Sequence, residues 1–174
     1  MPRTSETVPR AMAKERFQSW LDAYLHGKLI DWKTDWERAL KEAAAMWPGF
    51  PGAGVVLALF TWTESGEQHC PECTALKQHV FETPTFRYWV NVRHLECFKL
   101  DVGYPTPDAP SAWYAARHYG VFDDPSDLPV VLALRADDPL DHVLFGSLLG
   151  QMPPYTGEDA DTWIEEFSAV SHLT

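Results

Sequence analysis

The tetrapeptide Cys70-Pro71-Glu72-Cys73 narrows the possibilities for this chain more than any other feature. Proline fits the first position of a helix, where its missing N–H costs no hydrogen bond, so a helix is expected to start at Pro71. The Cys70 sulfur then sits beside unsatisfied backbone N–H groups at the positive end of the helix dipole, which stabilises the thiolate, the reactive form. Cys73, one turn further on, is close enough to close a small disulfide ring with it. The rival use of such a pair is zinc, which needs four ligands and usually takes them as two pairs. The third cysteine, Cys97, stands alone on an expected strand. Of the nearby histidines, His69 precedes the pair, His79 falls inside the helix and His94 comes just before a strand. Redox use, zinc and an unused pair all remain open on spacing alone; redox fits best, and no metal is expected.

The surroundings of the pair favour an α/β domain. Val55-Val56-Leu57-Ala58-Leu59-Phe60, shortly upstream, has the length of a strand buried on both faces. Residues 1–10 read as a loose tail. Phe17, Trp20, Leu21, Tyr24 and Leu25 mark one face of a helix over 11–28. Residues 29–32 are a candidate first strand. Thr34 and Glu37 suggest a capping box ahead of a helix that ends at Pro48-Gly49. The helix after Pro71 is expected to break or restart at Thr83-Pro84. Glu96 to Val102 reads as a strand, and a helix of about ten residues ending near Tyr119-Gly120 follows. Residues 129–135 and 141–148 flank Asp137-Asp138-Pro139 as a hairpin. Trp163, Ile164, Phe167 and Val170 give the last helix its apolar face. Most tryptophans are assigned to core or helix faces. The expected product is a mixed sheet of four to five strands with helices on both faces and an extra N-terminal helix.

Of the 174 residues, 25 are acidic and 14 basic, a formal charge of −11. Nucleic acid and anionic membrane, which need basic patches, are excluded as main partners. No apolar run reaches the ~18 residues that span a bilayer. Residues 1–10 lack the apolar segment of a secretory leader, so the expected place is the cytoplasm, or an exported compartment if a leader has been removed.

The order strand, C-x-x-C, helix, strand, helix, Leu-Pro, hairpin, helix resembles the thioredoxin superfamily over residues 29–174. Cys70-Pro71-Glu72-Cys73, then Val80-Phe81, Thr83-Pro84-Thr85-Phe86 and Phe98-Lys99-Leu100-Asp101-Val102, is similar to its thioredoxin-7-like branch and to the C-terminal domain of bacterial transmembrane disulfide reductases. The resemblance implies a thiol-disulfide oxidoreductase with Cys70 and Cys73 as catalytic residues. It also implies that Pro129 is a cis-proline facing the dithiol, and that Leu128 and Pro129 dock the substrate chain. The alternative for Pro129 is an ordinary trans proline opening a strand. The implied substrate is a protein or peptide disulfide, with a separate reductase recycling the dithiol and no cofactor; independently of the resemblance, no membrane insertion and a monomeric protein are expected. The alternative from another class is a thioredoxin-fold binding or chaperone-like module with an incidental dithiol.

Two neighbours are expected to tune the pair. His69 stands where the family usually has tryptophan; when charged it favours the Cys70 thiolate, and its plainer reading is a solvated loop residue. Glu72 opposes that thiolate, although it also suits the first turn of a helix. The family's buried acid would fall near Leu59, which transfers no proton. On these grounds the expected direction is reduction of disulfides. Cys97 is read as a small buried hydrophobe, and Asp101 as a loop cap or a group that positions water. Glu64, Glu67, Glu72, Asp108, Asp123, Asp124 and Asp127 are expected to form an acidic rim that selects basic substrates.

Overall fold

Val55–Thr61 forms the first strand, β1, and all seven of its residues are buried. A strand with no exposed face needs neighbours on both edges and helices on both sides. Its edges are taken by β2 (Glu96–Asp101), parallel to it, and β3 (Val130–Arg135), antiparallel. β4 (Ser147–Gln151) pairs antiparallel with β3, so the sheet has four strands in the order β2-β1-β3-β4. The computed structural model describes residues 4–63, 70–103, 109–121, 127–136 and 145–173.

The period-two alternation of a strand divides the core into two layers. Val56, Ala58 and Phe60 face α2 (Trp36–Ala45) and α5 (Ala109–His118), which contribute Trp36, Leu40, Ala112 and Ala116. Leu57 and Leu59 face the other layer, built by α3 (Pro71–Leu76), α4 (Pro84–Arg93) and α6 (Ala160–Ser171). There Trp163 stacks on Phe167 at 5.4 Å and meets Phe81 edge-on at 5.2 Å. Phe167 is fully buried, so Phe167→Ala is expected to cost about 3–5 kcal/mol.

Several local expectations give way to the structure. Helix α1 runs from Thr4 to Gly27, so helical backbone begins within the stretch read as a tail. Its aromatic face is not buried: Phe17, Trp20 and Tyr24 are exposed and stack on one another, while Leu21 and Leu25 are half-buried. α1 packs mainly against α4, where Asn91 donates to the carbonyls of Leu25 (2.8 Å) and Lys28 (3.0 Å). Residues 29–32 form no strand; the chain meets β2 at a single parallel bridge between Lys33 and Phe98. The cap of α2 is Asp35, whose carboxylate accepts from the Arg38 N–H, in place of a Thr34–Glu37 box. Asp is a cap as good as Thr, and here it sits one residue closer to the helix. The last strand lies at 147–151, later than 141–148, and its proposed turn at 137–139 lies outside the described residues. Trp20, Trp47 and Trp113 are exposed rather than core.

Candidate functional site

Cys70 has the non-helical backbone of a helix cap (φ −144°, ψ 88°), and Pro71 takes the first helical position. The Cys73 N–H, which has no intrahelical acceptor at this position, donates to Cys70 Sγ at 3.1 Å. The sulfur thus does what an N-cap oxygen normally does. The Thr74 N–H then bonds the Cys70 carbonyl at 3.3 Å and the helix is under way. Cys70 and Cys73 are joined as a disulfide with S–S 2.12 Å and Cα atoms 5.2 Å apart. Cys70 is 7% exposed and Cys73 only 1%, so Cys70 is the more accessible residue of the pair.

The helix does not run straight on. After Leu76 it widens into a π turn, Lys77–Phe81, with the Lys77 N–H shared between the carbonyls of Cys73 and Thr74. It stops at Thr83, whose hydroxyl oxygen accepts from Phe86 N–H at 3.2 Å, and Pro84 opens α4. The break expected at Thr83-Pro84 is therefore present, with both residues in the expected positions.

From across the sheet end, the segment before β3 closes over the disulfide. The Leu128 carbonyl oxygen lies 3.5 Å from Cys70 Sγ, Leu128 and Pro129 are both buried, and the peptide bond between them is cis. A disulfide sulfur has no proton to give, so this is a contact between the sulfur and a backbone acceptor. Cys70, Cys73, Leu128 and Pro129 are thus brought together. Glu72 and Asp127 flank them, both exposed. His69 lies outside the described residues, as do Glu64, Glu67, Asp108, Asp123 and Asp124 of the expected acidic rim.

Asp101, at the end of β2, is buried and fully used: it accepts from the Thr63 N–H and hydroxyl and from the Gly103 N–H. It is a loop clamp. Cys97 is not part of the site. It lies deep in the core layer that Leu57 shares with Leu76 of α3, 1% exposed, and burial pushes its thiol well above the ordinary range, with Glu96 adding to the effect. Glu96 itself is pushed up to about 7 by burial, against the pull of Lys33 Nζ at 3.9 Å. Among the described residues no cluster of His, Cys, Asp or Glu is arranged to hold a metal ion. No helix among them is long and apolar enough to cross a membrane.

Behind Cys73 is a cavity of about 250 Å³ whose wall includes Leu59, Thr61 and Lys99. Lys99 stands directly opposite Leu59 in the β1–β2 register and is half-buried. Sequence reasoning passed over this lysine. The available signal was its parity: residues 97, 99 and 101 share one strand face, and position 97 is an apolar-type residue.

No protein-family model matches the chain, and no curated protein sequence resembles it at a significant level. Among solved structures it is similar to one described as a DsbH oxidoreductase. The TM-score is 0.63 at 13% sequence identity, over 84% of this chain and 88% of that one.

Proposed function

On this thioredoxin-like fold, we propose that the protein is a thiol-disulfide oxidoreductase and that its Cys70–Cys73 pair reduces disulfides in proteins or peptides. The observation that carries the reading is the capping geometry of Cys70. Its sulfur receives a backbone N–H at 3.1 Å and Cys70 is the less deeply buried residue of the two, so a thiolate formed there is stabilised and is the one nearer the surface. In the dithiol form Cys70 attacks a substrate disulfide and expels one substrate thiolate, leaving a mixed disulfide. Cys73 then attacks the Cys70 sulfur, releases the second substrate thiol and regenerates the intramolecular disulfide. The two electrons pass to the substrate, so an external reductant must restore the dithiol after each cycle. In this reading the Leu128 carbonyl, 3.5 Å from Cys70 Sγ, accepts a hydrogen bond from a substrate backbone N–H docked across the pair. Reduction is the favoured direction because Leu59, behind the pair, and Glu72, a negative charge next to Cys70 in sequence, give the reduced form no stabilisation, and a less stabilised dithiol gives up its electrons more readily.

Insulin reduction with dithiothreitol as electron donor tests the reading. Cys70→Ser is expected to abolish turnover, and Cys73→Ser to accumulate a mixed disulfide through Cys70. Full turnover by Cys70→Ser would remove the mechanism. A folded wild-type protein that binds an insulin chain without reducing it would be a binding module instead.

A further inference from the structure

The cavity behind Cys73 has a character that disulfide exchange with a protein does not use. Its walls carry apolar side chains from three separate parts of the chain, Trp32, Leu59 and Phe81, and cationic ones from three more positions, Lys77, Lys99 and Arg87. Glu82 supplies the wall's carboxylate and pairs with Lys77 at 3.7 Å. Among the described residues no carboxylate lies within ion-pairing distance of Lys99 or Arg87. In a chain of net charge −11, a pocket whose charged groups sum to a surplus of cations runs against the average. Trp32 is held edge-on against Phe81 at 5.2 Å, so the apolar wall is already formed.

The geometry points to a binding site for a small organic monocarboxylate with an aromatic or aliphatic body, its carboxylate on Lys99 and Arg87 and its body against Trp32, Leu59 and Phe81. The volume of about 250 Å³ exceeds the ~150 Å³ that holds a benzene ring, leaving room for a short carboxylate arm. An inorganic anion would leave the apolar wall uncovered, and a cation would face Lys99 and Arg87 without a free counter-charge. Because Cys73 is in the same wall, the bound carboxylate also senses the redox state, a consequence that rests on the exchange reaction proposed above. The disulfide carries no charge, whereas the reduced pair carries a thiolate that repels the ligand. The disulfide form is therefore expected to bind about two- to threefold more tightly. By reciprocity the ligand makes the disulfide harder to reduce.

Isothermal titration of the oxidised full chain at low ionic strength tests the site without reference to activity. The probes are 3-phenylpropionate and its alcohol and amine counterparts, 3-phenylpropanol and 3-phenylpropylamine. The acid is expected to bind about tenfold more tightly than either, the difference expected of a charge-assisted hydrogen bond. Lys99→Met is expected to remove most of that preference, and Lys99→Arg to restore it. Equal affinity for acid, alcohol and amine in the wild-type protein would overturn the site, as would a preference for the acid that survives both Lys99→Met and Arg87→Met. Equal affinity of the acid for oxidised and reduced protein would overturn the redox coupling while leaving the site in place. Loss of insulin reduction with intact acid binding would instead count against the exchange reaction.

Discussion

Replacing Glu96 with glutamine is expected to stabilise the protein at alkaline pH and to leave it unchanged in acid. Glu96 opens β2 on the edge of the sheet and is buried; its carboxylate is pushed from an ordinary value of 4.5 up to about 7. Burial is the main cause. Lys33 opposes it, but Lys33 is shared with Asp31 and with Glu42 at 3.2 Å, and both carboxylates disfavour a further negative charge. A carboxyl that holds its proton more tightly when folded destabilises the native state once the unfolded chain has ionised. Between pH 4.5 and 7 the folded protein binds more protons than the unfolded one, so stability falls as pH rises through that window. A displacement of about 2.5 pH units at 1.36 kcal/mol per unit sets the full cost at about 3 kcal/mol above pH 7, and almost none of it is present at pH 4. Glutamine has the same shape and no charge to desolvate. Urea unfolding of wild type and Glu96→Gln at pH 4 and pH 8.5 is expected to give coincident midpoints in acid and a variant more stable by about 2–3 kcal/mol in alkali. A difference that does not change between the two pH values would refute the reasoning, because it would assign the effect to packing and not to ionisation.

Cys97→Ser is expected to leave insulin reduction unchanged, and iodoacetamide is expected to reach Cys97 only when the chain unfolds, as mass spectrometry of labelled protein would show. Thr83→Ala removes the hydroxyl that caps α4 and is expected to cost about 1 kcal/mol in thermal unfolding. A cationic disulfide peptide is expected to be reduced faster than an anionic one of matched length, given exposed Glu72 and Asp127 beside the pair, with the gap closing as salt rises toward a Debye length of about 8 Å. Equal rates at low ionic strength would show that the flanking carboxylates do not select.

The elements that could be read from the sequence are those whose local signals agree with their tertiary role. β1 is a continuous apolar run and is buried on both faces; Thr83-Pro84 caps and opens α4 as such a pair does in any helix. Where a local signal has two structural uses, the reading diverged. The Phe17, Trp20, Tyr24 spacing is that of a core-facing helix, yet these rings lie exposed and stack on each other, because periodicity identifies a face and not its partner. Residues 29–32 carry strand-forming side chains, but the chain reaches β2 only at Lys33, and one bridge is all the pairing the edge receives. The Thr34–Glu37 pattern lost to Asp35 because both residues are competent caps and only the backbone decides which one stands at the boundary.

The same distinction separates the two halves of the site. Cys70, Pro71 and Cys73 act through spacing within one turn, so their arrangement is local and legible. Leu128 joins them across the sheet, and only the strand–helix order, through its likeness to a known family, placed it there. The cavity behind Cys73 has no local signature at all. It exists because β1, β2, α4, the π turn and the segment at Trp32 converge, each contributing one to three side chains that read as ordinary surface or core residues alone. Lys99 shows the difficulty most plainly: in a strand of alternating residues a lysine reads as solvent-facing, but its parity puts it on the inner face with Cys97. A buried-face cation in an acidic protein calls for a counter-charge, and Leu59, its partner in register, supplies none. The apolar residue that removes a proton acceptor from behind Cys73 therefore also leaves Lys99 without a partner there, and one substitution at position 59 connects the two questions. Leu59→Asp would give Lys99 a carboxylate to pair with and Cys73 a proton acceptor at the same time.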